Sequence, residues 1–167
     1  SLAREGNEVQ KEEAAGALRN RAMKDDNSAA IAAAGGIEVL VSLARDGNEG
    51  QKEFAAGALW NLAINDDNRV AIAAAGGIEV LVSLARDGNE GQKDWAAGAL
   101  WCLADNDDNK AAIVAAGGIE VLIALARDGN EAQKERAAGA LWNLSDNDEN
   151  SVAIAAAGGI EVLISLA

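Results

Sequence analysis

The pairs Trp60-Asn61, Trp101-Cys102 and Trp142-Asn143 recur at an interval of 41 residues, and Asn65, Asn106 and Asn147 follow them at the same interval. An asparagine amide donates and accepts hydrogen bonds, and tryptophan offers a flat ring with one N–H. These groups suit binding better than bond breaking. The chain has no histidine, no tyrosine and a single cysteine, Cys102, so the usual general acid–base groups and zinc ligands are nearly absent. No catalytic residue, metal-ligand set or cofactor motif emerges, and a non-enzymatic protein is expected. The run Asp105-Asn106-Asp107-Asp108-Asn109 starts like a calcium loop but lacks the glycine at its sixth position and the closing glutamate. Helix capping accounts for it better. Cys102 has no histidine or second cysteine to activate it and reads as a passive thiol.

Composition narrows the partners. A formal charge of -13 argues against a nucleic-acid phosphate backbone, which requires clustered lysine and arginine. It permits a basic partner. No apolar run approaches the length that spans a membrane. The lone cysteine precludes an internal disulfide framework and fits a reducing, intracellular compartment, cytoplasm or nucleus.

These side chains must be held by helices. Hydrophobic residues make up 50% of the chain, much of it alanine, aromatics only 3%, and proline is absent, a composition that favours closely packed helices over sheets. In the stretch from Ala55 to Ala63, the residues Ala55, Leu59 and Leu62 share one helical face. Glu53, Gly57, Asn61 and Asn65 share the opposite one. Counted from Gly57, Trp60 lies to one side of this outward stripe and Phe54 to the other, with Trp95 repeating Phe54. Long helical side chains lean toward the N-terminus, so Trp60 is expected to cover Gly57 of its own helix, and Trp101 and Trp142 to do likewise. The alternative is that the tryptophans wedge between neighbouring long helices. Glu53, Asp94 and Glu135 add an acidic row to the stripe.

The whole pattern repeats. Gly16, Gly57, Gly98 and Gly139 are spaced by 41 residues, as are Gly36, Gly77, Gly118 and Gly159. Within a unit, Asn48 and Gln51 have capping-box spacing and open a long helix that runs to about Ile64. A polar stretch follows, in which Asn68 is expected to cap a short helix from Arg69 to Ala75. Gly76-Gly77 turns the chain into a further helix with Val80, Leu81 and Leu84 at core spacing. The units divide as 1–26, a cap-like long helix, then 27–67, 68–108 and 109–149, with a partial unit at 150–167. Ser1-Leu2-Ala3 matches the end of that further helix. Arg21 stands where Leu62, Leu103 and Leu144 fill the core, which suits a water-facing first unit. At the other end, Val162, Leu163 and Leu166 are expected to form an apolar patch through which copies could associate.

A period near 40 built from three helices indicates an α-solenoid. The string AAGALWNLAINDDNRVAIAAAGGIEVLVSLA resembles armadillo-repeat proteins, and the resemblance covers essentially the whole chain. It implies a right-handed, all-α armadillo solenoid whose third helices form a concave groove for extended peptides. In members such as importin alpha, a tryptophan and an asparagine one turn later recur down that groove. The resemblance places Asn20, Asn61 and Asn143 at the asparagine position, with Cys102 interrupting the row, and glycine where the tryptophan would be. The resulting expectation is a protein-interaction module. It binds an extended basic peptide through Asn20, Glu53, Phe54, Gly57, Trp60, Asn61, Asn65, Asp94, Trp95, Trp101, Asn106, Glu135, Trp142, Asn143 and Asn147. The competing expectation is an engineered or structural scaffold that self-associates through its ends into a homo-oligomer.

Overall fold

The computed structural model describes residues 6–167, the side chains of Asp25 and Asp26 excepted. The match of Ser1-Leu2-Ala3 lies outside them. Twelve helices are described, in three sets. The long helices are α1 (Glu8–Arg21), α4 (Glu49–Leu62), α7 (Glu90–Leu103) and α10 (Glu131–Leu144). The short helices are α2 (Asp25–Ala33), α5 (Asp66–Ala74), α8 (Asp107–Ala115) and α11 (Asp148–Ala156). The second helices are α3 (Gly36–Asp46), α6 (Gly77–Asp87), α9 (Gly118–Asp128) and α12 (Gly159–Leu166).

Local chemistry sets the boundaries. Asn48 Oδ1 accepts from the backbone N–H of Gln51 at 2.9 Å, while the backbone N–H of Asn48 donates to Gln51 Oε1 at 3.3 Å. The same reciprocal box opens all four long helices, satisfying two otherwise orphaned donors each time. Helix α4 ends at Leu62 with Ala63 as its cap, slightly before the expected Ile64. The short helix then starts at Asp66, capped by Asn65, not at Arg69 capped by Asn68. Asn68 is instead buried and donates from Nδ2 to Ser28 Oγ at 2.7 Å and to the Leu62 carbonyl at 3.2 Å. At the corner between short and second helices, Gly76 adopts φ +74°, a conformation that favours glycine. The four corners turn the chain by 80° to 86°.

The long helices pack side by side as one layer and the second helices as another, each second helix lying on the long helix that follows it. Ala55, Leu59 and Leu62 are fully buried between these layers, as are Ala96, Leu100 and Leu103 one unit on. Arg21, at the equivalent position in α1, is exposed. A glutamine ties the long helices together. Gln51 is 1% exposed, and its Nε2 donates to the Glu8 carbonyl at 2.9 Å and to Glu8 Oε2 at 2.8 Å. Gln92 and Gln133 do the same to Glu49 and Glu90. No single helix is long and apolar enough to cross a membrane.

Candidate functional site

The outward face of the long-helix layer is built from side chains that reach sideways onto their neighbours. Trp60 does not cover Gly57 of its own helix; it lies on Gly98 of α7, where an added Cβ would stand 3.0 Å from the ring. Trp101 lies on Gly139 of α10, where a Cβ would come within 2.5 Å of the ring. The nearest recess to each indole is the missing side chain of the next helix, so the ring crosses the helix boundary. Gly57 is itself buried, under Arg19 and Trp95. Trp60 and Trp101 are half-buried against their neighbours with an edge outward, a mixture of the two expected arrangements, whereas Trp142 is 73% exposed.

Two arginines complete this aromatic row. The Trp60 and Trp95 rings lie 5.3 Å apart at 39°. The Arg136 guanidinium sits 4.7 Å from the Trp60 centroid and 5.5 Å from that of Trp95. Arg19 sits 4.9 Å from Phe54 and 5.5 Å from Trp95. Both therefore reach across an intervening long helix, from α1 to α7 and from α10 to α4. Arg136 is also ion-paired to Asp94 Oδ2 and donates to the Asp94 carbonyl at 3.0 Å.

The acidic row is divided in its roles. The carboxyl of Glu12 lies against Gly50, and that of Glu53 against Gly91, both near the start of the next long helix, where a negative charge is favoured. At the third step Ala132 replaces the glycine. Its methyl group fills that recess, and the shorter Asp94 pairs with Arg136 instead. Glu135 is exposed.

The asparagine row is fixed on one side. Asn61 Nδ2 donates to the Arg19 carbonyl at 2.9 Å, and Asn143 Nδ2 to the Trp101 carbonyl at 3.2 Å. Each half-exposed amide keeps its Oδ1 and a second N–H without a partner among the described residues. Cys102 interrupts the row as expected. Burial pushes its thiol pKa up, against a smaller opposing pull from the Trp60 indole, which favours the unreactive protonated form. Asn20 is exposed. Asn65, Asn106 and Asn147 are less available than a free stripe implies, because each accepts from a backbone N–H of the short helix it caps, at 3.1 Å in every case.

Behind that row, Arg69 pairs with Asp105 at 2.7 Å and donates to the Ala63 carbonyl at 2.8 Å. One unit on, Lys110 pairs with Asp107 at 2.9 Å and Asp146 at 3.5 Å. These contacts link successive units. No cluster of metal-holding side chains occurs among the described residues.

The expected apolar end patch is revised. Val162 is buried at 7% exposure and Leu163 is half-buried, because both pack inward. The outward apolar residues there are Ile160, Ile164 and Leu166.

Sequence reasoning did not find Arg19, Arg136 or the glutamine ladder. The signal for the arginines was present: Arg136 stands where Phe54 and Trp95 stand, and Arg19 where the other units have tryptophan.

Comparison with known proteins agrees with this architecture. The profile of the Armadillo/beta-catenin-like repeat matches residues 24–64 and 106–146. A solved engineered protein is 38% identical with a TM-score of 0.93, over 99% of this chain and 68% of that one. A second engineered protein has the same identity and TM-score, but the matched part is 42% of its length. A designed armadillo repeat protein in complex with the peptide (KR)4 is 27% identical with a TM-score of 0.92, covering 99% of this chain and 71% of that one. No curated protein matches.

Proposed function

We propose that this chain, which belongs to the armadillo-repeat family, is a module that binds an extended, basic peptide along the outward face of its long helices. One observation carries the reading. Asn61 and Asn143 are each held through one N–H by the preceding helix and keep the rest of the amide for a ligand. Such fixed groups suit the backbone of an extended chain, because little conformational freedom is lost when they bind. Trp60, Trp101 and Trp142, with Phe54 and Trp95, supply flat walls between them, and the glycines beneath, Gly57 among them, let those walls sit low.

The charge supports a basic occupant. Glu53, Asp94, Glu135 and the capping asparagines Asn65, Asn106 and Asn147 edge the face, and the chain carries a formal charge of -13. A relative of the same fold is solved in complex with (KR)4. Asn20 extends the amide row by one unit.

The test is a titration of the (KR)4 peptide followed by indole fluorescence and calorimetry at low and moderate salt. Binding that weakens with salt is expected. Asn61→Ala with Asn143→Ala should weaken it by about 0.5–1.5 kcal/mol per amide. No binding at any ionic strength would reject the reading.

The near-identity of the units and the engineered origin stated for two relatives favour one second reading, a scaffold without a natural ligand. In that reading copies associate through Leu163 and Leu166, joined by Ile160 and Ile164. Light scattering over a dilution series tests it, since a monomer at every concentration excludes the association.

A further inference from the structure

The geometry points to Arg19 as a carboxylate-binding subsite at one end of this face, so that the bound segment carries an acidic group there among its basic residues. This deepens the proposed peptide-binding reading and rests on it.

The two arginines of the face have the same aromatic setting and different electrostatics. Arg136 stacks over Trp60 and has Asp94 as its ionic partner. Arg19 stacks over Phe54 and Trp95, yet no carboxylate among the described residues lies within ion-pair distance of it. The acids that could have served it are turned elsewhere, with the Glu12 carboxyl against Gly50 and the Glu53 carboxyl against Gly91. Its guanidinium also makes no hydrogen bond to the described residues.

Arg19 is nonetheless held in place. Its aliphatic stem lies on Gly57, where an added Cβ would stand 2.7 Å from Cδ, and its backbone carbonyl receives the Asn61 amide. A guanidinium fixed in this way presents a planar set of N–H donors that matches a carboxylate. Arg136 with Asp94 shows, within the same molecule, the pair that such a stacked arginine forms. A lysine or arginine of a uniformly basic peptide would be repelled at Arg19, and a glutamate, an aspartate or a C-terminal carboxylate would be held.

The experiment uses the amidated (KR)4 peptide and variants in which one glutamate, or one glutamine, is walked along it, together with the same peptide ending in a free carboxylate. Each is titrated into the wild type, Arg19→Gln and Arg19→Lys, with circular dichroism confirming that the variants remain helical. In the wild type, glutamate at one position should bind about threefold to tenfold more tightly than glutamine there. Arg19→Gln should abolish the gain, and Arg19→Lys should keep part of it. A gain from the free carboxylate alone would assign the group to a chain end.

A profile without any glutamate-specific gain, the same in wild type and Arg19→Gln, overturns the proposal. A second measurement needs no basic peptide. The Arg19 Nε–H resonance should shift on titration with N-acetylglutamate amide and not with N-acetylglutamine amide. Equal responses to the two would reject the subsite, whereas failure of (KR)4 to bind would reject only the basic-peptide reading.

Discussion

The glycines of the long helices place a definite demand on the residues above them. At Gly57 an added Cβ would meet the Arg19 stem, which is flexible, at 2.7 Å; at Gly139 it would meet the rigid Trp101 indole at 2.5 Å. Alanine in a helix interior gains about 1 kcal/mol over glycine, so the sign of each substitution depends on whether the neighbour can yield. Gly57→Ala should therefore be more stable than Gly139→Ala when both are unfolded in urea. Gly139→Ala should also shift the indole emission as Trp101 is displaced. Equal stabilities would show that the rings are not seated as described. The same recess logic explains why Asp94 departs from the behaviour of Glu53. The methyl group of Ala132 closes the recess, and the carboxylate turns to Arg136.

Each long helix is tied to the one before it by a glutamine that also closes its own capping box, and the first of these ties has a pH dependence. Glu8 accepts from Gln51 and, less strongly, from Lys11, and both hold its carboxyl below its ordinary pKa. A carboxylate with a lowered folded pKa contributes stability above its unfolded value, and that contribution is lost as the pH falls through the folded value. Wild type should therefore lose stability on acidification below the ordinary glutamate range, and Glu8→Gln should show a flatter acid limb. Urea midpoints measured from neutral pH down to pH ~3 check this, and parallel curves would contradict it. The capping half of this device was legible in the sequence, because Asn48 and Gln51 are three residues apart and the signal is local. The other half was not, because Gln51 reaches Glu8 across 43 residues. The misplaced start of the short helix has a similar cause. Asn65 and Asn68 are both good caps, and only the packing of Asn68 onto Ser28 decides between them. Trp60 was assigned to the right face but the wrong glycine, since spacing along one helix says nothing of the recess on the next.

At the scale of the whole molecule, the two-layer core was legible from the periodicity, and its face assignment can be challenged directly. Leu103 is fully buried, whereas Arg21 at the equivalent place is exposed. Leu103→Arg should destabilise by about 3–5 kcal/mol through an unpaired buried charge, which a urea midpoint would register, while Arg21→Leu should leave the core intact. A stricter test comes from removing a unit. Solenoid stability is approximately a sum of units and nearest-neighbour interfaces, and the spacing of 41 residues means that joining residue 67 to residue 109 preserves the register. In that shortened chain Trp60 would meet Gly139 in place of Gly98, and Gln133 would meet Glu49 in place of Glu90, so each junction finds an equivalent partner. The chain should remain helical and cooperative, with a lower urea midpoint and a smaller m-value in keeping with its smaller buried surface. It should also lose the Trp60–Trp95 pair, because Trp95 is deleted. Arg136 would then approach Trp60 from the adjacent helix, where the intact chain has it reaching across α7. A shortened chain that fails to fold would show that the contacts spanning two units, Arg19 to Trp95 and Arg136 to Trp60, hold the layer together more than the nearest-neighbour interfaces do.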